Sequence, residues 1–234
     1  MEFTGFRPEG LDLLIENRLH NSKGFYEDHK PRIKALVNEP FYALIESMAP
    51  VMREIDPLFV IEPKRMLSRV RRDTRYTKDK TLYRDHAWIT FARAKQGRFA
   101  ERPAYYFEIT PEYFGYGCGY YQAPPNEMQL ARELMLAEDK LFLDAYRAVQ
   151  QQTRFTLYGD SYKRPKYPDA PEKYQAWINR KNLGLSYECQ DFEALFNGSF
   201  VRPMLADLKG IAPFYRFLCA IKERSQAAET EALR

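Results

Sequence analysis

The spacing of apolar and polar positions changes twice along this chain. Over the first 55 residues the apolar side chains recur at helical spacing. Leu11, Leu13, Leu14, Ile15 and Leu19 form a first stripe. Phe25, Tyr26, Ile33, Leu36 and Val37 form a second, which Asn21 or Ser22 can cap. Pro31 falls inside that second pattern, where it either opens a helix or kinks one. Pro40 starts a third helix with Phe41, Leu44, Ile45, Met48 and Val51 on one face.

From residue 58 the pattern reads as strand. Residues 58–61 are a short apolar run, and Met66, Leu67 and Val70 follow among arginines. Residues 86–93, 104–110 and 113–122 have strand compositions bounded by Pro103, Pro111 and Pro124. The connections are too short for crossover helices, so the strands form a mostly antiparallel meander. Helical spacing returns after Pro125, with one stripe from Met128 to Met135 and another from Leu141 to Val149. A proline-broken loop over 163–171, a short helix over 174–181 and a strand over 183–189 lead to a helical stretch over 192–222. That stretch has breaks at Gly198, Pro203, Gly210 and Pro213. The polar tail, 225–234, is expected to fray. Helices, then strands, then helices make an α+β fold: N-terminal helices, a central mostly antiparallel sheet, and C-terminal helices packed on it. No linker divides the chain, so residues 1–224 are read as a single domain.

A length of 234 residues suffices for a core without disulfides or a structural metal. Aromatic residues reach 15%, with 17 Tyr and 16 Phe, so the core is rich in rings. Cys118, Cys189 and Cys219 are too few and too far apart for a disulfide framework and suit a reducing compartment. With no basic-then-apolar leader and no apolar run of membrane-spanning length, a cytoplasmic protein without a membrane partner is expected.

Net charge is only +4, but it is unevenly placed. Nine bases between Lys64 and Arg84 face two acids, Asp73 and Asp79. That segment therefore carries +7 and the rest of the chain −3. Arginine suits bidentate recognition of phosphate or carboxylate, lysine adds a movable charge, and the hydroxyls of Thr74, Thr77 and Thr81 can donate to the same anion. The candidate anion-binding residues are Arg69, Arg72, Arg75, Lys78, Lys80 and Tyr83, supported by Asp73, Asp79, His86, Lys166 and Lys181. If 69–75 is a strand, Arg69, Arg71, Asp73 and Arg75 share one face and Arg72 takes the other. One face is then buried, and its arginine needs a carboxylate, expected from a helix packed on the sheet. Residues 77–80 read as a turn beyond it.

The segment resembles the signature of the domain of unknown function 2461 family, roughly RxxRDxRFxxDKxxY. The match is carried by Arg69, Arg72, Asp73, Arg75, Asp79, Lys80 and Tyr83. Tyr76 stands where the family usually has Phe, and Leu82 where it often has Pro. The resemblance extends to Phe3-Thr4-Gly5-Phe6, to Phe25 and Lys30, to the strand around Gly117–Tyr121, and to Arg164-Pro165-Lys166 with Lys181. It implies a soluble protein of about this length, and it supplies no catalytic residues.

Other candidates carry less. Gly115, Gly117 and Gly119 share one strand face, which marks close packing or close approach of a ligand. His20, His29 and His86 lack metal-ligating spacing, so no metal is expected. No cofactor motif is present. Asp56 with Glu62-Pro63-Lys64 faintly matches a nuclease triplet, but Pro63 weakens a catalytic strand there. Two kinds of partner remain. One is a small anionic or phosphorylated ligand, an enzyme's substrate or a sensed molecule, held in a pocket lined by the signature. The other is a nucleic acid bound on an open basic surface. A purely structural ion-pair network is the alternative to both. The substrate, the reaction and the oligomeric state are not written in the sequence.

Overall fold

The computed structural model describes residues 3–75, 77–94 and 101–232. Tyr76, one of the two departures from the family pattern, lies outside them. The fold is α+β, with N- and C-terminal helices and a five-stranded antiparallel sheet of order β1-β2-β3-β5-β4. The strands are β1 (Ala87–Phe91), β2 (Ala104–Ile109), β3 (Phe114–Gly119), β4 (Thr156–Tyr158) and β5 (Gly184–Cys189). The sequence pattern does not reveal β4, whose three residues are too few to show a period. It pairs with β5 in the register Leu157 to Leu185.

The described residues group into two compact units, each drawn from three stretches of chain, which is why no linker is visible in the sequence. Residues of β2, β3 and β5 are divided between them.

The first unit takes in residues 1–91, 106–116 and 188–205. Helix α1 (Pro8–His20) ends where Asn21 turns left-handed at φ 47°. Ser22 caps α2 (Lys23–Ile33), its hydroxyl oxygen accepting from the Phe25 amide at 3.1 Å. Pro31 sits inside α2 rather than opening it, and a π-helical turn, Lys34–Asn38, follows before α3 (Glu39–Ile55). A proline removes one ladder bond and crowds the preceding turn. The short α4 (Pro63–Met66) comes next. Strand β1 buries alternate residues, Ala87, Ile89 and Phe91. Phe6, Phe41, Phe107, Phe114 and Phe200 form an aromatic core with ring centroids 4.8–6.2 Å apart. The chain enters it through Gly5, at φ 112°, where a Cβ would lie 1.9 Å from the Phe196 carbonyl oxygen.

The second unit takes in 92–105, 117–187 and 206–234. Here α5 (Pro125–Leu136) and α6 (Lys140–Gln150) pack on α10 (Ala212–Ala232). A 3-10 turn (Glu172–Tyr174) leads into α7 (Gln175–Ile178). Phe142, Tyr174, Trp177, Phe214 and Phe217 form the ring core. Glu127, Lys222 and Tyr120 are buried together: the Lys222 ammonium is 2.7 Å from one Glu127 oxygen and the Tyr120 hydroxyl donates to the other at 2.8 Å. Gly119 is required for close approach, since a Cβ there would lie 2.4 Å from the Gly184 Cα. The polar stretch expected to fray continues α10 as far as Ala232, and Ser225 accepts from Asn126 at 2.9 Å. The remaining helices are α8 (Phe192–Asn197) and α9 (Val201–Gly210). Pro203 and Pro213 sit in first turns of helices, where proline costs nothing, so they break no helix.

Candidate functional site: a basic cleft beside an arginine hairpin

The basic segment is not a regular strand. Residues 67–72 run antiparallel to 82–89 as a loosely paired hairpin. Isolated bridges join Leu67 to Ile89 and Arg71 to Tyr83. The Arg72 amide donates to Leu82 at 2.8 Å, and the Arg84 amide to Val70 at 2.9 Å. Asn21, just past α1, receives the Leu82 amide at 2.7 Å and anchors the arm to the helices.

The loop between the arms closes on itself. Arg72 Nη1 pairs with Asp79 and donates to the Thr81 hydroxyl at 2.6 Å. Asp79 in turn accepts from the Thr81 amide at 2.9 Å. That amide, then Arg72 and the Thr81 hydroxyl, hold the Asp79 carboxyl well below the usual range. Arg75 grips Asp73 with two bonds, at 2.9 and 2.7 Å, and holds its carboxyl down at about 2. Lys80 donates to the Thr74 carbonyl at 2.8 Å. The expected helix carboxylate for the buried arginine is therefore not what the structure provides. Arg72, with a side chain only 18% exposed, finds Asp79 seven residues on in its own loop. Short-range pairing wins because the loop brings its own acid within reach.

Lys78 is exposed and makes no hydrogen bond or ion pair with a described residue. Tyr83 is buried, its ring stacked on Tyr26 at 5.0 Å, and burial pushes its phenol up. His86 Nδ1 lies 2.8 Å from Asp85, whose other oxygen is 3.1 Å from Arg18 Nε. Burial pushes the Asp85 carboxyl up, but the His86 hydrogen bond and Arg18 carry it below the usual range. Lys166 and Lys181 belong to the second unit, where both lie over the Tyr162 ring.

Arg69 and Arg71 behave differently from the loop arginines. Both line a cavity of about 530 Å³ within the first unit. Its other cations are Lys30 and Lys34, from α2 and the π-turn, and Lys64 from α4. Tyr26, Asn38, Tyr42 and Ser68 add polar groups, and Pro31, Ile33, Leu67 and Val70 complete the wall. Among the described residues no carboxylate lines it. Lys30 is 3.3 Å from Glu27 and Lys34 is 3.7 Å from Glu39, both exposed pairs. Lys64, Arg69 and Arg71 form no ion pair with a described carboxylate. Burial and the nearby Glu39 push the Tyr42 phenol up. Arg84 fixes the arginine arm: its Nη1 donates to the Arg69 and Arg71 carbonyls while its guanidinium lies 4.9 Å from the Trp88 ring.

A family model described as conserved hypothetical protein (DUF2461) matches residues 9–217. The chain belongs to this family. The DUF2461 match spans the whole hairpin and every residue lining the cleft. No curated protein matches the chain.

Of the candidate anion-binding and supporting residues read from the sequence, only Arg69 lines the cleft. Lys30 enters the sequence reading through the resemblance alone, and Lys34, Lys64, Tyr42 and Arg71 are not among its candidate ligands. A helical reading of α2 puts Lys30 and Lys34 on one side at i, i+4, which is the available signal. Among the described residues no group of His, Cys, Asp and Glu could hold a metal ion, and no helix is long and apolar enough to cross a membrane.

Proposed function

We propose that the protein binds a small anionic, phosphorylated ligand in the basic cleft, with Arg69 and Arg71 as its principal contacts. The observation that carries this reading is that five cationic side chains line one cavity and, among the described residues, no carboxylate does. Lys30 and Lys34 have exposed carboxylate partners in Glu27 and Glu39, while Lys64, Arg69 and Arg71 have none among the described residues, so an anion entering the cleft is attracted by uncompensated charge. The cavity, at about 530 Å³, falls within the size range of small-molecule sites. Guanidinium groups match phosphate oxygens in pairs, lysines supply point charge, and Tyr26 and Tyr42 offer ring faces and hydroxyls. A DUF2461 chain with this cleft is read as a binder of small phosphorylated molecules rather than of a nucleic-acid track.

The loop over 72–81 has a different role, and here the structural reading of the signature is favoured. Arg72, Arg75 and Lys80 are engaged by Asp79, Asp73 and the Thr74 carbonyl. Arg72 and Lys80 brace the hairpin that presents Arg69 and Arg71.

Calorimetric titration with a small phosphomonoester tests the reading, beside a single-stranded oligonucleotide at two salt concentrations. The expected result is saturable one-to-one binding of the phosphomonoester, weakened at least about tenfold by Arg69→Gln with Arg71→Gln, the loss of a charge-assisted contact. Binding of the oligonucleotide alone, with a steep salt dependence, would instead make the cleft part of a nucleic-acid surface.

A further inference from the structure

The second unit gathers its own cations around one ring. Tyr162 has the Lys166 ammonium 4.4 Å from its centroid, the Arg132 guanidinium at 5.4 Å and the Lys181 ammonium at 5.8 Å. All three lie within cation–π range, about 6 Å.

Arg132, on α5, is 3% exposed. Its Nε donates to the Ile178 carbonyl at 3.0 Å. Its Nη2 donates to the Arg180 carbonyl at 2.8 Å and to the Tyr162 hydroxyl at 3.2 Å. Nη1 has no acceptor among the described residues, and none of Arg132, Lys166 and Lys181 forms an ion pair with a described carboxylate. The neighbouring Arg180 likewise finds only carbonyls, at Ala176 and Gly159, and burial lowers its guanidinium. Carbonyl dipoles satisfy hydrogen bonds but leave the net charge standing, and a buried arginine without a counter-ion is costly.

The loop that carries Lys166 is held in place. The Asn179 side-chain oxygen accepts from the Lys166 amide at 2.8 Å and from the Tyr167 amide at 3.4 Å. Gln175 Nε2 donates to the carbonyls of Tyr167, Pro168 and Ala170. Such a site needs little ordering when a ligand arrives, which favours binding.

We propose that Arg132, Tyr162, Lys166 and Lys181 form a binding site for a phosphoryl group. Arg132 Nη1 and the two ammonium groups supply donors and charge. The Tyr162 hydroxyl accepts from Arg132, so its own proton is free to donate to the anion. A phosphoryl dianion answers three cations better than a carboxylate, which brings one charge and two oxygens. Inorganic phosphate and a small phosphomonoester share this chemistry. The site uses no residue of the arginine cleft and stands or falls separately from it.

Phosphate titration of the full chain, at constant ionic strength in chloride, tests the proposal through backbone amide resonances. Saturable shifts are expected at Tyr162, Lys166 and Lys181. Lys166→Gln with Lys181→Gln should weaken them at least about tenfold while leaving distant resonances in place. Arg69→Gln with Arg71→Gln should leave them intact even if the cleft binds nothing. A parallel titration with glycerol phosphate identifies the source: tighter binding than inorganic phosphate means a phosphomonoester, and equal binding means phosphate itself. The proposal is overturned by the absence of saturable shifts at these residues, by equal affinity in the double lysine variant, or by acetate binding as tightly as phosphate.

Discussion

The Arg84 guanidinium donates to the Arg69 carbonyl oxygen at 2.6 Å, and the same nitrogen reaches the Arg71 carbonyl at 3.1 Å. One cation thus fixes the backbone of two others. With its own charge engaged by carbonyls and the Trp88 face, Arg84 holds the arm while the Arg69 and Arg71 side chains line the cleft. Replacing Arg84 with Leu should cost about 1.5–3 kcal/mol, the worth of hydrogen bonds to a charged group. Urea unfolding measures it. Lys at this position, a single point donor, should recover only part of the loss.

Arg72 and Arg75 differ by their surroundings. The Arg72 side chain is largely shielded and ties Asp79 to Thr81, whereas Arg75 is 74% exposed beside an exposed Asp73. Exposed pairs contribute little, because water screens them and long side chains lose freedom. Arg75→Ala should leave the melting temperature unchanged. Arg72→Ala should lower it and speed hydrogen exchange at the Thr81 amide. Equal effects from both would contradict this assignment.

The same loop should respond to acid. The Asp79 carboxyl sits below its ordinary value of 3.8, and Asp73 is held at about 2. A carboxyl whose folded value is depressed stabilises the loop above its unfolded value, and that contribution is lost as pH falls through the folded value. The Thr81 amide, donating to Asp79, should therefore keep its shift down to about pH 4 and titrate with a midpoint below 3.8. A midpoint at or above 3.8 would mean that Arg72 and Thr81 do not hold the carboxylate in solution. Amide shifts followed from neutral to strongly acidic pH give the answer.

Two glycines should behave oppositely. Gly5→Ala forces a side chain into left-handed backbone and into the Phe196 carbonyl, so folding should be severely impaired. Gly24 lies inside α2, where an added Cβ would meet nothing within 4 Å. Gly24→Ala should stabilise by about 0.4–1 kcal/mol, because alanine loses less backbone freedom. Thermal melts of both variants check the pair.

The α+β architecture is legible in the sequence because its helices and strands are long enough to show a period, as in α3 and in β2. The three residues of β4 are not. The charge run identifies where the basic chemistry lies, and its alternating acids hint at internal pairing. It cannot tell which arginine is spent on which acid, since that depends on how the loop over 73–80 folds back. Lys30, Lys34 and Lys64 are not picked out as ligands for another reason. They come from helical segments outside the signature, and only the packing of α2, the π-turn and α4 beside the hairpin brings them to Arg69. Likewise Lys166 and Lys181 read as a basic loop, while the residue that gives them meaning, buried Arg132, looks like any helical arginine.

The most direct measurement is a crystal structure of the protein grown in sulfate, with selenate substituted so that its anomalous signal marks every bound anion. A peak is expected in the cleft within hydrogen-bonding distance of the Arg69 and Arg71 side chains, and none held by Arg72 or Arg75. An empty cleft, with anions instead on the loop arginines, would contradict it.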